Sequence, residues 1–382
     1  MLEKNQATQN EHTAKEDRLY VGIELSRKKW KLGLSDGKVA RARIVTIDAR
    51  DWKRFSQEVQ KARHRFGLTE ATPARSCYEA GREGFWVHRA LEQMGVESVV
   101  VDAASIDVKR RKRAKTDRID AEQLVRQLIR YWRGERDVWS VVRVPTVEAE
   151  NARQLHRDME ILKREQQQHR VRIQSLLYTQ GIDVEVTAKL IQQLEQLESW
   201  DGQPLPEALK QRIRREYRRL EAAGQDLALL KRQQKRALKT ENSAAIEKIR
   251  KLQRLRGIGM ESSWLFVREL FGWRQFRNRR ELGGALGMTP MPYQSGDSAR
   301  EQGISHAGNR RVRTMAVEIA WSWLRYQPES RLSQWYRRRF ASAGPRLRRI
   351  GIVALARRLM VDLWRWVEKD QVPEGARVKA VA

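Results

Sequence analysis

An α/β domain, a long helical hairpin and a mainly helical C-terminal domain make up the fold class that this sequence predicts. Three observations point to it. Short β-rich runs alternate with helical spacing between residues 18 and 102. Apolar residues then fall into heptads between 146 and 250, and from Lys251 a Gly-containing turn leads into helices crowded with Trp and Arg. At roughly 100–200 residues per domain, 382 residues hold two or three domains. The chain divides into a tail (1–17), an α/β domain (18–145), a helical hairpin (146–250), a C-terminal domain (251–370) and a second tail (371–382).

Residues 1–17 are polar and mixed in charge, the composition of a disordered segment. From Arg18, RLYVGIELSRKKWKLGLSDGKVARARIVTI holds short β-rich stretches broken by Ser35-Asp36-Gly37, a hairpin signal. Residues 51–66 carry apolar side chains at helical spacing and end at Gly67. Strands follow at 74–78, running into Glu79, and at 97–101, running into Asp102. Between them GREGFWVHRALEQMG reads as a helix closed by Gly95. A hairpin followed by alternating helix and strand places parallel strands in the sheet.

In the next region Leu155, Met159, Leu162, Gln166, His169, Ile173 and Leu176 alternate four and three apart, which is a heptad seam. Leu209, Ile213, Glu216, Leu220, Ala223, Leu227, Leu230, Gln234 and Ala237 repeat that rhythm. The breakers Gly202, Pro204 and Pro206 end the connection at 181–206. An antiparallel hairpin results, a coiled coil available for dimerisation. Further on, KLQRLRGIGMESSWLFVREL sets Gly257-Ile258-Gly259 between two short helices. That is the shape of a helix-hairpin-helix whose N–H groups approach a phosphate, or of a turn that packs two helices. Trp321 and Trp364, at helical spacing, are read as packing residues.

The charge balance narrows the function. The 77 Lys and Arg outnumber 48 Asp and Glu, giving +29 at pH 7 and a pI of about 10.7. Such a surplus repels itself unless a polyanion offsets it, so nucleic acid is the expected partner. The composition, 40% hydrophobic and 33% charged, is that of a globular protein. Cys77 is the lone cysteine, which excludes an internal disulfide framework and a Cys-based zinc site. The start has no signal-peptide pattern and no apolar run reaches membrane-spanning length, so a cytoplasmic protein with no membrane partner is expected.

VKRRKRAKTDRIDAEQL, residues 108–124, carries the most chemistry. Asp117 and Asp120 stand three apart at the start of a helix, so both carboxylates share a face. A divalent metal, Mg²⁺ or Mn²⁺, offsets their repulsion; the alternative is two solvated acids paired with Lys115 and Arg118. Glu24 falls among apolar neighbours in the first strand, where burial of an acid is costly without a ligand. Glu79 ends a later strand, at the sheet edge where α/β proteins place their sites. An acid on the first strand, another ending a later strand and a pair on a following helix form the arrangement of a ribonuclease H-like nuclease site. The basic run Lys109, Arg110, Arg111, Lys112, Arg113 and Lys115 beside it is a candidate nucleic-acid surface. Arg337, Arg338, Arg339, Arg346, Arg348 and Arg349, interleaved with Trp335 and Tyr336, form another.

VGIELS, YEAGREGFWVHRAL, KTDRIDAEQL and ELGGALGMTPMPYQSGDSAREQGISHAGNRRVRTMAVEIA together resemble the DEDD transposases of insertion sequences, the Piv/MooV-like family. The resemblance covers about residues 19–130 and 251–325. It implies a RuvC-like (RNase H-like) N-terminal domain and a C-terminal transposase domain. The family's four acids correspond to Glu24, Glu79, Asp117 and Asp120, although the family usually has Asp where this chain has Glu24. Its serine nucleophile corresponds to Ser295, with Ser298 and Ser305 as nearby rivals. Arg300, Arg310, Arg311 and Arg313 would stabilise the transition state and bind nucleic acid. The resemblance further implies Mg²⁺ or Mn²⁺ on the acids, donor and target DNA as substrates, and a structured non-coding guide RNA. A homo-oligomer, dimer or tetramer, is expected. Two other readings remain: a metal-only RuvC-like nuclease or junction resolvase, and a nucleic-acid-binding protein without catalysis.

Overall fold

The computed structural model describes residues 17–106, 117–295 and 298–379, with residues 104, 117–118, 292–295 and 298–302 given as backbone only. The chain divides into two compact units, 1–144 and 145–382. The N-terminal tail and the basic run at 109–115 lie outside the described residues.

In the first unit β1 (Leu19–Leu25), β2 (Lys29–Ser35) and β3 (Arg43–Asp48) form an antiparallel meander. The Ser35-Asp36-Gly37 turn lies between β2 and β3, with Gly37 in the left-handed region at φ 77°. α1 (Trp52–Arg65) starts where the Asp51 side chain accepts from the Arg54 N–H. β4 (Ala74–Glu79), α2 (Trp86–Gln93) and β5 (Val96–Val101) follow, both strands parallel to β1. After α3 (Asp117–Trp132), the short β6 (Val141–Val142) closes a sheet of order β3-β2-β1-β4-β5-β6. This is the RNase H/RuvC-like topology. The strands alternate as period two demands. Leu19, Val21 and Ile23 turn into a core with Phe55, Val59, Val87 and Leu91, and the opposite face carries α3.

In the second unit α4 (Val147–Asn151) leads into α5 (Gln154–Tyr178), and α6 (Ala188–Gln193) lies in the connection to α7 (Glu207–Thr240). α5 and α7 pack antiparallel. Of the predicted seam, Met159 and Ile173 on α5 and Ile213, Glu216, Leu220, Ala223, Leu227 and Gln234 on α7 are buried. The two seams thus bury each other within one chain. The connection is itself folded: Val186, Leu190, Leu194 and Leu205 cover Ile173, Leu177 and Ile213.

α8 (Ala244–Gln253) and α9 (Met260–Phe266) flank the Gly257 turn, and a π-helical segment, Val267–Phe271, continues α9. α10 (Arg279–Leu286) precedes an antiparallel pair, β7 (Pro290–Ser295) and β8 (Ser298–Ile304). α11 (Arg310–Tyr326), α12 (Arg331–Phe340) and α13 (Pro345–Lys369) complete the unit. Trp264, Phe266, Phe271, Trp323, Trp364 and Trp366 anchor its core. Trp321 corrects an expectation: it is 49% exposed, because the buried stripe of α11 runs through Val312, Ala316, Ile319, Ala320 and Trp323 and leaves position 321 outside. The Gly257 turn packs helices: its carbonyl accepts from Ser322 Oγ at 3.1 Å, and that of Arg256 accepts from Gln327 Nε2 at 2.9 Å.

Candidate active site

Two glycines bring the acid-bearing helix onto the sheet. Gly22 and Gly33 face each other across β1 and β2. A Cβ on Gly22 would stand 2.5 Å from the Val125 backbone nitrogen, and one on Gly33 would stand 2.6 Å from the Ala121 carbonyl oxygen. Only strands without side chains at both points accept α3 this closely. Cys77 continues the contact on β4, its Sγ donating to the Leu124 carbonyl at 3.5 Å, and its complete burial pushes the thiol pKa up. It is a packing cysteine.

This contact fixes the acid positions. Glu24 and Glu79 each follow a residue that faces α3, Gly22 and Cys77, by two, so both belong to the α3 face. The parallel register pairs Gly22 with Cys77 and Ile23 with Tyr78, the residues that Glu24 and Glu79 directly follow. Lys31 stands opposite Glu24 on β2. α3 runs antiparallel to β1: its last turn comes to Gly37 and Tyr20, so its first turn lies toward the Glu24 end. On α3 the residues Ala121, Leu124 and Leu128 are buried, and Asp120 stands one turn before Leu124. Glu24, Glu79 and Asp120 therefore belong to one end of one sheet face, with Glu24 and Asp120 half-buried and Glu79 exposed. Among the described residues no group of three or more His, Cys, Asp or Glu side chains is gathered closely enough to hold a metal ion, and the Asp117 side chain is outside that set.

Ser295 belongs to the second unit. It is the last residue of β7 and pairs with Ser298, the first of β8, at the outer end of the hairpin. Arg300 pairs with Tyr293 two steps further in. At the root of the hairpin the chain crosses itself between glycines: a Cβ on Gly308 would stand 2.4 Å from the Gly287 nitrogen. His306 N–H donates to the Gly287 carbonyl at 3.0 Å, Ser305 N–H to that of Thr289 at 2.9 Å and Asn309 N–H to that of Ala285 at 3.0 Å. Arg313 Nη1 donates to the Leu286 and His306 carbonyls at 3.1 and 3.2 Å. Arg313 thus braces this root, while Arg311 pairs with Glu160 on α5 at 2.7 Å and Arg310 is exposed.

A buried ion network ties the same root to the helical hairpin, and the sequence reading missed it. Glu269, with no exposed side-chain surface, lies in the π-helical segment. It accepts from Arg157 Nε at 2.7 Å and Nη2 at 3.0 Å and from Asn309 Nδ2 at 2.9 Å, and His156 Nε2 lies at 2.9 Å. Burial would raise the Glu269 pKa, but the hydrogen bonds to His156 and Arg157 outweigh it and hold the carboxyl well below the usual range. Asn309 also caps α11, its Oδ1 accepting from the Val312 N–H at 3.2 Å. That cap was a readable signal, since Asn309 directly precedes a helical pattern. The acid it also contacts lies 40 residues away in sequence.

Comparison with known proteins decides the family. Residues 249–334 match the transposase family IS116/IS110/IS902. The chain is 40% identical over 377 residues, 94% of each chain, to the putative transposase y4rJ of Sinorhizobium fredii strain NGR234. The protein belongs to the IS116/IS110/IS902 transposase family. A second relative from that strain, the putative transposase y4qE, is 28% identical over 265 residues, 68% of this chain and 61% of the relative. The family match spans α8 to the start of α12 and so includes the Gly287–Gly308 crossing and the strand that ends in Ser295. The transposase is thus a recombinase of an insertion sequence, a mobile DNA element. No helix among its described residues is long and apolar enough to cross a membrane.

Proposed function

We propose that the transposase cuts and rejoins DNA through Ser295, with the acid face of the first unit holding Mg²⁺ or Mn²⁺ and a structured RNA choosing the DNA. The observation that carries the reading is the hairpin root: inside the family match, a crossing with no room for a side chain fixes the two strands that end at Ser295 and Ser298. Ser295 Oγ attacks the phosphorus of a phosphodiester, forming a serine–phosphate bond as the bond to the leaving strand breaks. The leaving strand departs as a hydroxyl and takes up a proton. A hydroxyl from a second strand then attacks the same phosphorus, and Ser295 is released. Arg310 and Arg300 are the proposed cations for the phosphate oxygens.

A hard divalent cation takes oxygen ligands, and the acid face would offer carboxylate oxygens from two adjoining strands and a helix. When bound, the metal supplies charge stabilisation to the oxygens of the reacting phosphate. Glu79 and Asp120 are the proposed ligands together with Asp117 and Glu24, the last standing opposite Lys31. Rejoining two duplexes requires four broken strands, hence more than one serine and more than one copy of the chain. The net charge of +29 suits an assembly that binds both RNA and DNA.

Recombination between a donor and a target duplex in Mg²⁺ tests the reading. Ser295→Ala and Asp120→Ala should each abolish product while DNA binding persists, and exchanging the RNA should redirect the target. Recombination at the wild-type rate by either variant would refute its assigned role.

A further inference from the structure

Between α10, α12, α13 and the root of the β7–β8 hairpin lies a cleft of about 1660 Å³. Its lining includes nine arginines and only two carboxylates, Asp362 and Glu374. Arg279 and Arg280 open α10 on one side. Arg357 of α13 crosses Gly283, where a Cβ would come within 3.3 Å of its Nε, so a glycine lets this cation lie against α10. Arg358 stands 4.1 Å above the Trp335 ring. Partial burial, followed by the charges of Arg339 and Arg331, lowers the pKa of the Arg358 guanidinium. Pro290, Gly303, Ile304 and His306 form part of the wall: Pro290 opens β7, the strand that ends in Ser295, Gly303 and Ile304 close its partner β8, and His306 follows in the root of the hairpin.

We infer that this cleft holds the sugar–phosphate backbone of the DNA strand on which the Ser295 hairpin acts. Glu374 pairs with Arg331 at 2.7 Å and Asp362 with Arg365 at 3.6 Å, and the remaining guanidiniums repel one another until a polyanion enters; a guanidinium matches a phosphate in geometry and charge. A nucleophile must receive its strand from an adjoining surface, and the cleft shares a wall with the strands that bear it. The choice of strand rests on the proposed role of Ser295; binding in the cleft does not.

Full-length protein titrated with a fluorescent DNA duplex carrying the element's end, over a series of salt concentrations, tests this. Replacing the exposed Arg279, Arg280 and Arg349 together with Ala should weaken binding at least about tenfold near physiological salt. It should also lower the slope of log affinity against log salt by about 3. Asp362→Asn, which removes the negative charge facing the arginines, should tighten binding. Replacing the exposed Arg212, Arg215 and Arg218 of α7 with Ala removes equal charge elsewhere and should change affinity by no more than about twofold. An equal loss in this control, an unchanged slope in the cleft variant, or a loss confined to an RNA hairpin probe would overturn the inference. If Ser295 proved not to be the nucleophile, the strand assignment would fall, while the affinity pattern would still be read independently.

Discussion

The acid face and the serine hairpin are both held by pairs of glycines, yet they are held differently. Gly22 and Gly33 admit a helix of regular geometry onto two neighbouring strands, so the acid positions follow from register and helical spacing over a broad contact. Gly287 and Gly308 meet at one loop crossing, and Ser295 stands at the far end of the hairpin that leaves it. The first site is set by packing across a whole face, the second by a brace at one end. A small change in the first should cost stability and acid geometry together. A small change at the second should cost the serine before it costs the fold.

The largest effect is expected where the brace meets the helical hairpin. Glu269→Ala leaves Arg157 and Asn309 without their shared acceptor in a buried site and should cost about 3–5 kcal/mol, read by urea or thermal unfolding. A loss under about 1 kcal/mol would show that the network does not hold the brace. Gly22→Ala and Gly308→Ala come next, each forcing a backbone shift worth about 1–3 kcal/mol. They should differ in kind. Gly22→Ala should lower the melting temperature and cleavage together, whereas Gly308→Ala should lose cleavage with less change in melting. The same ranking of both losses in the two variants would erase the distinction.

Acid titration gives a smaller, signed effect. The folded-state pKa of Glu269 lies below its ordinary value of 4.5, so the native state binds fewer protons there than the unfolded chain. Its contribution is present at neutral pH and fades as pH falls below about 4.5. Glu269→Gln should flatten that part of the stability–pH curve, measured by denaturation at several pH values, and an unchanged acid limb would contradict the network. Smallest is Asp362, whose burial raises its pKa despite Arg365, Arg331 and Arg358 nearby. The native state there binds more protons, so the charged form costs stability at neutral pH. Asp362→Asn should raise the melting temperature slightly, and a fall would mean that the carboxylate is needed where it stands.

The strands of the sheet, the start of α3 and the α7 seam were legible because each repeats a period: two along β1, three to four along α3, seven along α7. Glu24, Glu79 and Asp120 fall on those periods. What brings them to one end was not legible, because Gly22 and Gly33 read in sequence as weak points of strands rather than as a seat for a helix. β7 and β8 escaped because Pro290, Pro292 and Gly303 break the alternation, and a β-bulge between Pro290 and Pro292 shifts the register. The seam was visible, and so was its antiparallel partner in the same chain. His169 Nδ1 and Glu216 Oε2, both read as seam positions, lie 2.6 Å apart within one chain. Ile161, Val171 and Leu229 stay outside this pairing, 44%, 49% and 48% exposed.

The serine itself allows the most direct test. A DNA substrate interrupted near the cleavage site, so that the released end diffuses away, should trap protein on DNA as a band that survives denaturing electrophoresis. Digestion and mass mapping should place the nucleotide adduct on Ser295, and Ser295→Ala should give no adduct while still binding the DNA. Cleaved DNA free of protein, or an adduct on Ser298 or Ser305, would contradict the account.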